Sequence, residues 1–193
     1  MKFLESAARI ISTVLHPLFM TVYGVSLLFV LTDDTHIRMG TYFWFVLPVF
    51  ILSCLMPANG IFLLRRFNLI KDYTLSDKKE RFGPLFITFV SYVILLCFYS
   101  FRTYVPFWFI GTITIPLVLL IIASVINIWW KISIHMMGIG GLIGCTLSIS
   151  YLIKGANPYW IFMILFVLAG CLGTARLVLK RHTPAQIYSG FCV

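Results

Sequence analysis

The segment 106–128, PFWFIGTITIPLVLLIIASVINI, contains no charged side chain. A helix of about 20 apolar residues is long enough to cross the roughly 30 Å hydrocarbon core of a bilayer. Five other segments have the same character, so we predict six spans. They cover about 10–31, 42–64, 85–101, 106–128, 133–152 and 159–178. The sequence therefore predicts an all-α polytopic membrane helix bundle.

The overall composition agrees with a membrane protein. Of the 193 residues, 61% are hydrophobic and only 11% are charged, whereas a soluble domain is closer to half apolar and a quarter charged. We expect one integral membrane domain over 1–193. After the sixth span, a short helix is expected from Pro184 to Val193. Its length of about 15 Å covers half a bilayer.

The basic residues are distributed unevenly between the two membrane surfaces. Alternating spans place twelve of the 15 Lys and Arg residues on the side of the N-terminus and leave Arg38, Arg102 and Lys154 on the other. The positive-inside rule makes the N-terminal side cytoplasmic. We expect a protein of the bacterial inner membrane. The net charge of +9 follows from this topology and does not indicate a nucleic acid partner.

Three polar segments are predicted to reach the same membrane surface, because an even number of crossings separates each from the next. They are 71–84 (KDYTLSDKKERFGP), 131–135 (KISIH) and 175–186 (ARLVLKRHTPAQ). Arginine binds phosphate oxygens with its planar guanidinium. Helices predicted to start near Ser133 and Thr183 would offer free N–H groups to an anion. The combination predicts a phosphate site, and its two histidines favour phosphoryl transfer.

The third polar segment carries a recognisable spacing. Arg176, five residues, His182, three residues and Gln186 resemble the third signature of the type 2 phosphatidic acid phosphatase superfamily. That signature reads Ser-Arg, five residues, His, three residues, Asp. Ala175 therefore stands in place of its serine, and Gln186 in place of its aspartate.

The other two polar segments resemble the remaining signatures in the same order. The triplet Ser133-Ile134-His135 is similar to the second signature, Pro-Ser-Gly-His, with Ile132 in place of the proline. The segment 78–84, KKERFGP, loosely matches the first signature, Lys, six residues, Arg-Pro. Its departure is that Thr74 occupies the expected lysine position, so Lys78 is the candidate substitute. The resemblance covers about 71–190.

The resemblance implies that a phosphate ester is hydrolysed without a metal or another cofactor. By position, His182 attacks phosphorus to form a phosphohistidine, and His135 protonates the leaving oxygen. The implied phosphate ligands are Lys78, Arg81, Ser133 and Arg176. Gln186 implies orientation of the nucleophilic imidazole without the added negative charge of an aspartate. The polar segments also contain no paired carboxylates at ligand spacing, so no metal is expected.

Each of these features also has a simpler interpretation. Basic residues around 176–182 are typical of interfacial lipid anchors, and residues 78–81 are typical of a solvated loop. Ser133 with His135 is compatible with a helix cap and an interfacial histidine. Thr183-x-x-Gln186 has the pattern of a capping box, which is compatible with a catalytic role. His16-Pro17 predicts a kink or a buried polar contact within the first span.

Glycines in the fifth span suggest a close helix contact. Gly140-x-x-x-Gly144 has the spacing of such a surface, and Ala169-x-x-x-Gly173 is its predicted partner. The segment 138–144, GIGGLIG, lies in a predicted span without a preceding strand, so a nucleotide-binding loop is not expected.

The function favoured by the sequence is a membrane phosphatase for a lipid phosphate or lipid diphosphate. Its partners would be the membrane and a phosphorylated lipid. Two alternatives remain: a degenerate relative that binds phosphorylated lipid without turnover, and a lipid transporter or scrambler. The sequence selects neither the lipid head group nor the oligomeric state.

Overall fold

The computed structural model describes residues 2–31, 39–70, 79–101, 105–152 and 158–193. Over these ranges the chain forms helices and no strand. Five helices are long and apolar enough to cross a membrane, and a bent pair near the N-terminus raises the number to six if it counts as one span. The predicted all-α membrane helix bundle is confirmed.

The α-helices are numbered α1 to α9 in chain order. A five-residue π-helical turn, Ile51–Leu55, joins α3 to α4, and a 3₁₀ turn, Lys79–Arg81, precedes α5. The α-helices are Lys2–Val14, Pro17–Leu31, Met39–Phe50, Met56–Arg66, Phe82–Ser100, Phe107–Trp129, Ile134–Leu152, Tyr159–Val178 and Pro184–Cys192.

The first predicted span differs from the structure. Residues 10–31 do not form one helix: α1 ends at Val14, α2 begins at Pro17, and their axes are bent by 57°. Pro17 has no N–H to donate and its ring crowds the carbonyl one turn earlier, so it ends one helix and begins the next. The predicted kink at His16-Pro17 is confirmed. The other five spans agree with the structure to within a few residues.

The chain divides into two compact units, and the first contains Met1–His36 with Lys131–Val193. In this unit α7 packs against α2, α8 and α9, while α1 packs against α8. Apolar side chains from α2, α7, α8 and α9 and from the turn after α1 fill its core. The buried members are Leu15, Met20, Met136, Ile139, Leu142, Ile143, Leu165, Ala169, Leu172 and Ile187.

The second unit contains Ile37–Trp130, and within it α5 packs against α4 and α6. Its centre includes three aromatic rings. The Tyr99 ring centroid lies 6.1 Å from that of Phe45 and 4.9 Å from that of Phe109. The buried Tyr99 hydroxyl donates a 2.6 Å hydrogen bond to the Phe45 carbonyl, which satisfies its polar atom inside an apolar cluster.

The glycines of α7 contact a different helix from the one predicted. A Cβ added at Gly140 would collide with the backbone carbonyl of Phe191 in α9, whereas one at Gly144 would meet open space. Gly173 lies near Ile187 of α9 and Met136 of α7. The predicted pairing of this glycine surface with Ala169-x-x-x-Gly173 is therefore wrong at Gly140 and Gly144. The close backbone contact at Gly140 is instead with the short helix α9.

Gly190→Ala should lower the melting temperature of the detergent-solubilised protein. A Cβ at Gly190 would lie 2.7 Å from the Ser133 carbonyl oxygen, and overpacking of this kind costs about 1–3 kcal/mol. Gly144→Ala is the matched control, because Ala has room there and favours a helix over Gly by about 1 kcal/mol. Thermal unfolding followed by circular dichroism measures both. Equal melting temperatures for the two variants would contradict the close α7–α9 contact.

Candidate functional site

The turn that ends α8 constrains the path of the backbone between Arg176 and His182. Lys180 adopts a left-handed conformation with a φ of 50°. Its N–H donates to the Leu177 carbonyl at 2.9 Å, and the Arg181 N–H donates to the Arg176 carbonyl at 3.2 Å. These two bonds close the helix end in a Schellman motif. The helix therefore ends within one turn of Arg176, and His182 is the first residue beyond the closed turn.

The next helix, α9, starts with the predicted capping box. Thr183 is the N-cap, and its hydroxyl accepts from the Gln186 N–H at 3.5 Å. In return, Gln186 Oε1 accepts from the Thr183 N–H at 3.2 Å. The capping box is confirmed, and it fixes which atom of the Gln186 amide is the oxygen.

The same Gln186 oxygen contacts His182. Its Oε1 lies 3.0 Å from His182 Nδ1, and an amide oxygen can only accept a hydrogen bond. The Nδ1 atom must therefore carry a proton in this contact. In the neutral imidazole, Nε2 is then the unprotonated nitrogen. This is the form of histidine that can act as a nucleophile.

The N-termini of α7 and α9 are joined by a direct backbone bond. Ser133 immediately precedes α7, and its carbonyl accepts the first helical bond, from Met137 at 3.0 Å. The Ser133 N–H donates to the Gln186 carbonyl at 3.3 Å. The predicted proximity of two helix N-termini is confirmed. Free N–H groups at such ends, together with the helix dipoles, favour a bound anion.

The Ser133 side chain is fully buried beside this junction. Its Oγ has no hydrogen-bond partner among the described residues. A buried hydroxyl without a partner is unfavourable by about 1–3 kcal/mol. A ligand oxygen, such as that of a phosphate, would satisfy it. The role of Ser133 as a phosphate ligand stays a prediction.

A group of polar side chains surrounds His135 in the first turn of α7. Its ring centroid lies 5.1 Å from that of His16, with the ring planes at 80°. The charged forms of Arg176 and His182 interact electrostatically with His135, and Arg176 interacts in the same way with His16. Three helix ends and the α1–α2 break therefore bring four titratable side chains into one neighbourhood.

His16 is a member of this group that the sequence did not assign to the site. The prediction at His16-Pro17 was a kink or a buried polar contact, and the structure contains both. The signal was present, because an ionisable residue inside an apolar segment is costly and often has a function. His16 lies outside all three polar segments, so the motif spacing gave no reason to connect it with His135.

The proximity of two predicted phosphate ligands, Arg81 and Lys78, to the histidines is untested. Arg81 belongs to the second unit, where it ends the 3₁₀ turn before α5 and is only 7% exposed. Burial lowers the pKa of its guanidinium from the usual value. Lys78 lies outside the described residues. That these two side chains join the histidines stays a prediction.

The described parts of the chain contain no group of three or more His, Cys, Asp or Glu side chains arranged to hold a metal ion. The five cysteines, Cys54, Cys97, Cys145, Cys171 and Cys192, are free. The donors that converge near His135 are imidazole, guanidinium, hydroxyl and backbone N–H groups. Such a set binds an oxyanion through hydrogen bonds and positive charge.

Comparisons with known proteins add no relative to this description. No family model, curated protein or solved structure matches the chain. The interpretation of the site therefore depends on its geometry and on the signatures in the sequence.

Gln186→Ala should destabilise the protein by about 0.5–2 kcal/mol, which is the usual cost of losing a helix cap. The variant loses both contacts of Oε1, the one to Thr183 N–H and the one to His182. Gln186→Glu keeps an acceptor at the same reach and serves as the matched control. Thermal melts of the three proteins in one detergent measure the difference. A Gln186→Ala melting temperature equal to that of wild type would show that the capping box contributes nothing.

Proposed function

We propose that this protein is a membrane-embedded phosphatase that hydrolyses a lipid phosphate or lipid diphosphate without a metal, through a phosphohistidine on His182. The single observation that carries the proposal is the contact between Gln186 Oε1 and His182 Nδ1. It leaves Nε2 as the basic nitrogen, at a junction of two helix N-termini that also holds His135 and Arg176.

Binding of the phosphate uses three kinds of donor. The Arg176 guanidinium supplies charge and directed N–H groups, the Ser133 hydroxyl supplies a buried donor, and the first turns of α7 and α9 supply backbone N–H groups. The resemblance adds Lys78 and Arg81 as further proposed ligands. Together these groups offset the negative charge that otherwise repels a nucleophile from phosphorus.

Transfer proceeds in two balanced steps. In the first, His182 Nε2 attacks phosphorus, the bond between phosphorus and the lipid oxygen breaks, and protonated His135 gives its proton to that oxygen. In the second, neutral His135 takes a proton from water, the water oxygen attacks phosphorus, and the P–N bond breaks. Inorganic phosphate leaves, and both histidines return to their starting states. Gln186 accepts from Nδ1–H throughout and so stabilises the phosphorylated ring.

The position of these residues supports a lipid substrate. Ser133 and His135 lie at the start of α7, and Arg176 lies in the last turn of α8, both of which are candidate membrane spans. A lipid in the bilayer would present its head group at this level while its tail stays in hydrocarbon. We propose that this surface is the cytoplasmic face of a bacterial inner membrane, following the positive-inside count.

The second candidate function is binding of phosphorylated lipid without turnover. It is favoured by one observation: the group that contacts His182 Nδ1 is an amide and not a carboxylate. A carboxylate would stabilise positive charge on the ring during attack, whereas an amide provides a weaker, neutral acceptor. A transporter is less well supported, because transporters place their polar sites near the bilayer midplane, whereas Ser133, His135 and Arg176 lie at the ends of candidate spans.

Phosphate release from a panel of lipids in detergent tests the proposal. The panel contains a phosphatidate, an isoprenyl diphosphate and a phosphorylated glycolipid, each with and without a chelator. We expect wild-type release to be unaffected by the chelator, His182→Ala to release none, and His135→Ala to be slower by about 10²–10⁴-fold. Arg181→Ala is the control, because this exposed neighbour lacks an assigned role. Tight lipid binding by wild type without release would favour the binding function instead.

Gln186→Asp should move the acidic limb of the pH–rate profile to higher pH. A carboxylate beside His182 raises the pKa of its imidazole, and the nucleophile must be neutral, so release is lost at a higher pH than in wild type. Above that limb we expect faster release, because the carboxylate stabilises charge that develops on the ring. Gln186→Asn is the matched control, because its side chain has the length of the Asp side chain but no charge. Identical profiles for the Asp and Asn variants would show that charge at this position has no effect.

A further inference from the structure

The break between α1 and α2 contributes polar groups to the neighbourhood of His135, although it lies outside every signature in the sequence. His16 caps α2 twice. Its Nδ1 accepts from the Leu18 N–H at 3.3 Å, and its carbonyl accepts from the Phe19 N–H at 2.9 Å. The first bond fixes the tautomer, since the neutral ring then carries its proton on Nε2. The break between α1 and α2 is thus stabilised by specific hydrogen bonds from His16.

The carbonyls at the end of α1 find specific partners outside the helix. The last four carbonyls of any helix lack an intrahelical donor. In α1, the Ile11 carbonyl accepts from the Leu15 N–H at 2.9 Å, and the Val14 carbonyl accepts from the Tyr23 hydroxyl at 2.8 Å. The Ser12 backbone forms a hydrogen bond with the His135 side chain. Ser12 lies in the last turn of α1, where its N–H bonds within the helix and its carbonyl does not, so the partner is the carbonyl and His135 donates.

The His16 and His135 rings are also in direct edge contact, with their centroids 5.1 Å apart. His135 is thus held from two directions, by the Ser12 carbonyl at one ring nitrogen and by the His16 ring. Both contacts come from the same break. The titratable and charged groups that interact with His135 are His16, Arg176 and His182. Arg176 has no acceptor atom, and the Nδ1 lone pair of His16 already accepts from the Leu18 N–H.

We propose that His16 is a positioning residue for His135. By capping α2 it stabilises the bend between α1 and α2, so that the Ser12 carbonyl stays bonded to one His135 nitrogen. The other His135 nitrogen then gives its proton to the leaving lipid oxygen. The identity of that reaction depends on the proposed function, but the arrangement of the two imidazoles and the carbonyl does not. The main effect of losing His16 is therefore on the protonation geometry of His135 and on turnover, with little effect on substrate binding.

The test uses the full-length protein in detergent micelles with ¹⁵N-labelled histidine. Nitrogen chemical shifts report which ring nitrogen of His135 is protonated, with or without turnover. In wild type we expect a single His135 tautomer. In His16→Ala we expect a mixture of tautomers, a kcat loss smaller than the about 10²–10⁴-fold expected for His135→Ala, and an unchanged KM. In His16→Asn, which keeps an acceptor at the cap position, we expect the single tautomer and most of kcat to return.

Thr13→Ala is the control, because Thr13 is exposed on the same helix end and its hydroxyl bonds back to Arg9 within α1. It should leave the His135 shifts unchanged. A single wild-type tautomer in His16→Ala would overturn the proposal, as would a failure of His16→Asn to restore it. Should His16→Ala fail to fold, the proposal is tested by comparing the His135 tautomer of His16→Asn with that of wild type. Tautomer changes without phosphate release from wild type would reject the phosphatase and leave the positioning role intact.

Discussion

The constraint on which this site depends is that main-chain N–H and C=O groups at helix ends need partners where water is scarce. Inside a bilayer an unpaired backbone group costs several kcal/mol. The first unit meets this demand by bringing helix ends together. The Ser133 N–H bonds to the Gln186 carbonyl, the Arg181 N–H to the Arg176 carbonyl, and the Ser12 backbone to the His135 ring. Three of the candidate site residues, Gln186, Arg176 and His135, take part in these bonds.

Two side chains therefore cap a helix and contact an imidazole at once. Gln186 Oε1 completes the capping box of α9 and also contacts His182. His16 caps α2 and also contacts His135. This sharing links local stability to the state of each imidazole. It also means that activity and melting temperature must be measured together in any variant of these residues, since a change in one cannot otherwise be separated from a change in the other.

The sequence predicted the fold class and most helix limits, because long apolar segments have one physical solution in a bilayer. It also predicted the α9 capping box, which follows from a local rule, and the proximity of two helix N-termini, which follows from the even number of spans between the polar segments. It did not connect His16 with His135, because no spacing rule links residues that far apart along the chain. Nor did it assign Gly140 to α9. The partner of a glycine depends on which backbone comes close, which is a tertiary property.

The left-handed turn at Lys180 gives a geometric meaning to the number of residues between Arg176 and His182. The bond from the Arg181 N–H to the Arg176 carbonyl closes a ring of fixed size, and the histidine follows at once. The separation of the two residues is therefore set by this backbone hydrogen bond and not by the side chains between them. The side chains at 177–179 and 181 do not set the separation of the cation and the imidazole, whereas position 180 must accept a left-handed backbone. One inserted residue would rotate the imidazole away from its amide partner before any catalytic group had been altered.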